Sequence, residues 1–418
     1  MPDLKRVVIT GVGALTPIGN DAASFGRALV AGENGAGPIT RFDAAKFKTR
    51  FACEVKNFDP LNFLDRAEAR KYDAFTQYGL VAAEEAIQHA RLDFDELNRN
   101  RIGVVWGSGV GGLQTLQEQI SEFATGDGTP RFNPFFTSKI IIDIAAGLIS
   151  IKYGLRGLNY ATVSACATST TSLIAAFNHI RWGQADVLIA GGSEATVNAT
   201  GIGSYNASRA LSTRNDDYAT ASRPFDVARD GFVVGEGAGA LILEEYEHAR
   251  RRGAPILAEI VGGGMAADAY HLTGTHPQGE GAYLSMQAAL ADAGLHAAQI
   301  DYLNAHATST GLGDASEGIA IGRVFGPAPS LHVSATKSMT GHLLGAAGAI
   351  EAIACVHAVQ HDVIPPTINT TVLAPEFVGR FPLALGQPVH RPVTYAMSNS
   401  FGFGGHTATL IVRKYEGE

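Results

Sequence analysis

The chain has 418 residues, a formal net charge of −8, 46% hydrophobic and 17% charged residues. This composition excludes a disordered chain, and the acidic balance argues against nucleic-acid binding while leaving room for a local basic patch. Three cysteines, Cys53, Cys166 and Cys355, form no CxxC pair and are odd in number. A disulfide framework and a Cys-rich metal site are therefore not expected, and a reducing, cytoplasmic setting is.

Residues 1–10 hold no apolar run of the signal-peptide kind. Lys5 to Thr10 reads as a buried strand that runs into Gly11-Val12-Gly13 and a turn at Pro17-Ile18-Gly19. A strand followed by GxG invites a dinucleotide reading, but Thr16 stands where the third glycine belongs. Residues 20–31 and 72–91 carry helical apolar spacing. Between them lies a charged stretch, Asp65 to Lys71, whose ordinary reading is a solvated face. Arg101 to Trp106 is a strand, and Asn133-Pro134-Phe135-Phe136 is an aromatic loop. Ile140 to Ile151 is the most apolar stretch, too short to span a bilayer and carrying Asp143.

The next element is a strand-like run, Leu158 to Val163, followed by Ser164-Ala165-Cys166-Ala167 and a helix-like run, Ser172 to Arg181. A cysteine at a strand-to-helix junction faces free backbone N–H groups, which favour thiolate, the form that attacks carbonyl carbon. An isolated cysteine is more often a small buried core residue. Asp186 to Ala190 is a further strand, ended by Gly191-Gly192. Gly235, Gly237 and Gly239 lead directly into the strand Ala240 to Leu243, which points to close packing rather than a nucleotide loop. Alternating strands and helices predict an α/β class with largely parallel, doubly covered sheets.

The second half repeats this order. Ile256 to Val261 is a strand that runs into Gly262 to Gly264. Tyr283 to Gly294 is a helix and Ile300 to Asn304 a strand. His332 to Lys337 precedes an apolar helix, Leu343 to about Ala358. Val333-Ser334-Ala335 matches Val163-Ser164-Ala165, and Thr394 to Met397 is a late strand like Val187 to Ala190. An internal duplication is expected, with halves 1–252 and 253–418 packed as one body.

Polar residues end several strands of the second half: Asp268 to Thr273, Asn304 to Thr310, Lys337 to His342 and Ser398 to Gly405. Ligands in open α/β sheets bind beyond the carboxyl ends of strands. If the halves are pseudo-symmetric, His306, His342 and Cys166 converge. A thiolate that takes an acyl group, with two imidazoles donating to an enolate oxygen, suits condensation driven by loss of CO2. A second oxyanion hole for the acyl thioester draws on the Cys166 N–H and the loop at Phe401-Gly402. Lys337 lies beside His342 in sequence and favours its neutral form.

These stretches, with Ala210 to Asn215, Ser222 to Asp226 and Arg229 to Phe232, make the chain resemble the β-ketoacyl-acyl carrier protein synthases. The resemblance is to the elongating type II enzymes of the KAS II kind and covers essentially the whole chain. It implies a thiolase-like fold of two pseudo-symmetric halves in α-β-α-β-α layers, a homodimer and a Cys-His-His site. It implies Cys166 as nucleophile, with His306 and His342 in decarboxylation, Lys337 tuning them with Glu351 as its partner, and Phe401 as a gate. Thr308, Thr310 and Thr273 contact the phosphopantetheine arm, which belongs to the substrate, so no cofactor or metal of its own is implied. Val110 and Tyr205, with Gly402, line the acyl site, and Phe135 and Phe136 lie near the dimer interface and the partner's tunnel. The implied acidic carrier protein lifts Arg66, Arg70, Lys71, Arg131 and Arg209 to docking candidates.

The sequence departs from the pattern at Ala307, at Gly311-Leu312-Gly313 and at Thr407. Substrate preference is where these changes bear. The same chemistry in a specialised polyketide or polyene pathway is the alternative. A thiolase would need a second catalytic cysteine, and Cys355 reads as core.

Overall fold

The computed structural model describes residues 4–326 and 330–417. Ten strands form one extended sheet: β1 (Val7–Leu15), β2 (Ile102–Gly107), β3 (Asn159–Thr162), β4 (Val187–Glu194), β5 (Gly237–Glu245), β6 (Ala258–Ala267), β7 (Tyr302–Asn304), β8 (His332–Ser334), β9 (Tyr395–Gly402) and β10 (His406–Lys414). Their spatial order is β8-β7-β9-β10-β6-β1-β5-β4-β2-β3. From the centre outward, each side reads first strand, fifth, fourth, second, third. The second half therefore copies the topology of the first, and β1 and β6 join the copies over three residue pairs.

The sheet is mixed, not largely parallel. Only β2 with β3 and β4, and β7 with β8 and β9, pair in parallel. The remaining pairings are antiparallel. For β9 and β10 the reason is local: the turn Phe403-Gly404-Gly405 is too short for a parallel crossover.

Six helices repeat in the same way: α1 (Ala74–His89), α2 (Ile144–Tyr153), α3 (Thr168–Arg181), α4 (Glu280–Ala293), α5 (Gly311–Phe325) and α6 (Ala347–His361). Helices α1 and α2 share one apolar core with the first-half strands, and α4 and α5 share another with the second-half strands. A third core holds α3 and α6 together with strands of both halves. Helix α6 is buried on every side over most of its length, which explains why its sequence is apolar all round. The result is the five-layered, thiolase-like arrangement.

Several glycines read from sequence as strand ends lie inside strands. β1 continues through Gly11 and Gly13 to Leu15, and β6 through Gly262 and Gly264 to Ala267. A Cβ at Gly11 would sit 2.2 Å from Ala86 O of α1, and one at Gly264 would sit 2.2 Å from Ser285 O of α4. The missing side chains let each outer helix lie directly on its strand. Likewise β4 runs on through Gly191-Gly192 to Glu194, because Gly191 packs on the Gly239 carbonyl.

Candidate active site

The Cys166 junction is a strained elbow. Ala165 has φ of 50°, a left-handed conformation costly for a side chain-bearing residue. Thr168 Oγ1 holds it, accepting from Ser164 N–H at 2.9 Å and donating to Ala165 O at 2.6 Å. One 3₁₀ turn, Ala165–Ala167, then leads into α3, which begins four residues earlier than its apolar pattern suggested.

The second half has the same elbow at a different place from the one the sequence match indicated. β8 ends at Ser334, but the short helix Lys337–Thr340 and His342 intervene before α6. The mate of Ala165-Cys166-Ala167 is Leu344-Gly345-Ala346, also one 3₁₀ turn, with Leu344 at φ of 51°. The two elbows face each other, and Ala349 N–H of α6 donates to Ser169 Oγ of α3 at 2.9 Å.

A cavity of about 460 Å³ opens over the first elbow. Cys166, His306 and His342 line it together with Val110, Tyr205, Arg209, Thr273, Thr308, Thr310, Phe401, Gly402 and Phe403. The His306 and His342 ring centroids are 5.3 Å apart and nearly perpendicular, and Phe401 lies 5.4 Å from His306. Strand ends deliver these groups, as expected. His306 follows β7, with its N–H and that of Ala307 donating to the Glu317 carboxylate of α5 at 2.9 and 2.7 Å. Asn399 of β9 donates to the same carboxylate at 3.1 Å. His342 is pinned by backbone bonds to Val233 and Gly235, both 2.8 Å.

Lys337 is buried and pairs with Glu351 of α6. Its nearer imidazole is not His342, its sequence neighbour, but His306, whose Nδ1 lies 3.3 Å from Nζ. An ammonium only donates, so His306 Nδ1 accepts and a neutral ring carries its proton on Nε2. Burial, then the Lys337 charge, hold both imidazoles well below the ordinary 6.5. Both are therefore neutral N–H donors at physiological pH.

The helix start does not make Cys166 a resting thiolate. Burial pushes its thiol up to about 12, against the Lys337 charge and a backbone N–H of Phe403 that lower it. Desolvation outweighs the local dipole here, so the thiol rather than the thiolate is the resting form. In the loop beside Cys166 it is the Phe403 N–H that bears on the thiol. Gly402 makes the approach possible: a Cβ there would lie 2.7 Å from Ser164 O and 2.9 Å from Cys166 N. Gly402→Ala is expected to push the loop away and slow acylation of Cys166 by about 10²-fold, read by stopped-flow mass analysis of the acylated protein.

Of the departures from the family pattern, Gly311, Leu312 and Gly313 line the cavity, whereas Ala307 and Thr407 lie behind it. The Ala307 methyl is buried in the second-half core. Thr407 donates to Gly281 O at 3.0 Å, and Leu312 stands exposed at the cavity mouth. Phe135, Phe136, Arg66, Arg70, Lys71 and Arg131 are not brought to the cavity. Arg66, Arg70 and Lys71 are exposed on the short helix Arg66–Lys71, whose Lys71 Nζ lies 5.8 Å from the Phe135 ring. Arg131 is exposed and pairs with Asp127. Cys355 is fully buried in α6, as read. Glu317 and Phe403 went unnoticed in the sequence, since each acts through a backbone N–H that no residue pattern reveals.

A family profile described as the beta-ketoacyl synthase N-terminal domain matches residues 4–249, and its C-terminal counterpart matches 257–371. This chain belongs to the β-ketoacyl synthase family. It is 48% identical over 417 residues to the 3-oxoacyl-[acyl-carrier-protein] synthase 2 of Staphylococcus aureus (strain COL), covering 100% of both chains. Among solved structures it resembles the ishigamide ketosynthase/chain length factor, with TM-score 0.92 and 33% identity, covering 99% of this chain and 100% of that one. A ketosynthase solved with its type II polyketide acyl-carrier protein and a hexaketide gives TM-score 0.91 and 31% identity, with the same coverage. No helix among the described residues is long and apolar enough to cross a membrane.

Proposed function

We propose that this β-ketoacyl synthase performs decarboxylative condensation in fatty-acid elongation, joining an acyl group on Cys166 to a malonyl group carried by acyl carrier protein. The observation that carries the reading is the pair of neutral imidazoles over one cysteine, one of them fixed in tautomer by Lys337. Cys166 sulfur attacks the acyl thioester, its proton passing to the departing thiol of the phosphopantetheine arm. The Cys166 and Phe403 N–H groups face the oxygen that becomes negative. The malonyl thioester then loses CO2, and His306 and His342 donate to the enolate oxygen. The enolate carbon attacks the acyl-enzyme carbonyl and expels Cys166 as a thiolate, which takes up a proton from water to restore the thiol.

Thr308, Thr310 and Thr273 present hydroxyls to the arm at the cavity mouth, and Phe401 covers the nucleophile. Val110 and Tyr205 contact the acyl chain. Arg66, Arg70, Lys71, Arg131 and Arg209 receive the acidic carrier. Charge reversal at Arg66, Arg70 and Lys71 is expected to raise KM for carrier-bound thioesters about tenfold, an effect that shrinks as salt rises. Two copies associate, the β3 edge and exposed Val163 and Phe135 being suited to burial. The two halves are units of 1–252 and 253–418.

A specialised polyketide or polyene ketosynthase would use the same residues. The 48% identity to an elongation enzyme, against 31–33% to polyketide neighbours, favours elongation. Mass spectrometry of Cys166 after exposure to a panel of acyl-carrier thioesters tests it. Long saturated and cis-unsaturated chains are expected to load; loading confined to short or polyene chains sinks the elongation reading.

A pH profile tests the imidazole assignment. A histidine at its ordinary value would halve in neutral form near pH 6.5. Lowering that value moves the loss of the neutral form to lower pH. CO2 release from malonyl thioester is therefore expected to stay flat from about pH 8 to about pH 6, measured with isotopically labelled carboxyl.

A further inference from the structure

Glu194 ends β4 and is fully buried. Its Oε1 accepts from Ser108 Oγ at 2.9 Å and Val110 N at 3.2 Å. Its Oε2 accepts from Gly109 N at 2.7 Å and Gly345 N at 3.0 Å. Four donors and no acceptor fit an ionised carboxylate. The mechanism above gives this charge no role.

The duplicated topology gives it one. β4 and β9 are mates. β9 ends at Gly402, whose backbone lies against Cys166 N in the first elbow. β4 ends at Glu194, whose carboxylate lies on Gly345 N in the second elbow. Gly345 N–H is thus the mate of Cys166 N–H. In one half this position faces a reacting thioester; in the other a carboxylate of the protein fills it permanently. A Cβ at Gly345 would lie 2.6 Å from Glu194 Oε2 and 2.3 Å from Gly109 N, so the space is closely fitted.

The segments that the carboxylate joins both border the cavity. Gly109 and Val110 form its wall, and Gly345 follows His342 by three residues. We infer that Glu194 is a positioning residue: seated in the blind copy of the active-site elbow, it locks the Gly109-Val110 wall to the His342 segment and so sets which acyl chains Cys166 accepts. The inference rests on Cys166 as the acyl acceptor. Glu194 also faces the nucleophile electrostatically. After burial and the opposing Lys337 charge, it is the next influence on the Cys166 thiol, and it raises it.

Glu194→Gln tests this, since it keeps the shape, removes the charge and turns a donor group toward donors. The ratio of long-chain to short-chain acylation rates of Cys166 is expected to change by about tenfold or more. The pH profile of Cys166 alkylation by iodoacetamide is expected to move to lower pH, because a charge that opposes the thiolate is gone. An unchanged ratio overturns the inference. So does a changed ratio with an unmoved profile, because a purely structural role alters packing but not the charge facing the thiol. Should that variant not fold, Ser108→Ala removes one of the four donors and retains the charge. It is expected to change the ratio about threefold in the same direction, and no change there overturns the inference. If instead the proposed function is at fault, the unsubstituted protein takes no acyl group from any thioester, an outcome separate from these.

Discussion

Cys166→Ala is expected to lower condensation by on the order of 10⁴-fold or more while release of CO2 from malonyl thioester persists. The two outcomes separate because the groups responsible come from different halves of the chain. The acyl group has nowhere to rest without the sulfur, so no acyl-enzyme forms and no acceptor awaits the enolate. The enolate donors, His306 and His342, take their positions from β7 and from the bridge to Val233 and Gly235, none of which depends on the thiol. Intact-protein mass spectrometry should show no acyl adduct, and labelled malonyl thioester should still yield CO2. Continued condensation by this variant, or by Cys166→Ser, would remove the cysteine from the mechanism. Loss of CO2 release with it would mean that the imidazoles do not act alone on the enolate.

Lys337→Met has the second-largest expected effect, and it acts twice. Lys337 and Glu351 are both essentially buried, and Glu351 Oε2 has no hydrogen-bond partner besides. Removing the ammonium strands a buried carboxyl that burial already pushes up to about 7. Breaking such a pair from one side costs about 3 kcal/mol, visible as a lowered midpoint in denaturant. His306 also loses the donor at Nδ1, so its proton is no longer confined to Nε2. CO2 release should fall by about 10²-fold. The double variant Lys337→Met with Glu351→Gln separates the effects. Stability should recover, because the lone charge is gone, and the rate should not, because the tautomer is still unfixed. Recovery of both would make Lys337 a packing residue only.

Much of the candidate site was legible in the sequence because strand ends are where an α/β sheet presents side chains to a cavity. Cys166 and His306 each stand just beyond a strand, and Lys337 and His342 follow β8 through one short helix. What could not be read is what lies across a layer. Gly11 and Gly262 look like the ends of strands, but their partners are carbonyls of α1 and α4, far along the chain. The pairing of Lys337 with Glu351 was legible, but the imidazole closest to it was not, since His342 is near in sequence and His306 is near in space. Expecting thiolate at Cys166 considered the helix start alone and omitted the desolvation that the second half imposes. The start of α6 was set too early because apolar residues fill the 3₁₀ turn Leu344–Ala346 as readily as a helix. Glu194 and Glu317 bind backbone N–H groups, which every residue has, so no side-chain pattern betrays them.

The crossing of strand ends has a consequence for how the protein folds. Each copy of the motif supplies the piece that closes the other's elbow: Gly402 leans on Cys166, and Glu194 on Gly345. Thr168 braces the Ala165 elbow locally, but the contacts that close each elbow against its neighbour come from the other copy. Completing both elbows therefore needs contacts of large sequence separation, the kind that slows folding.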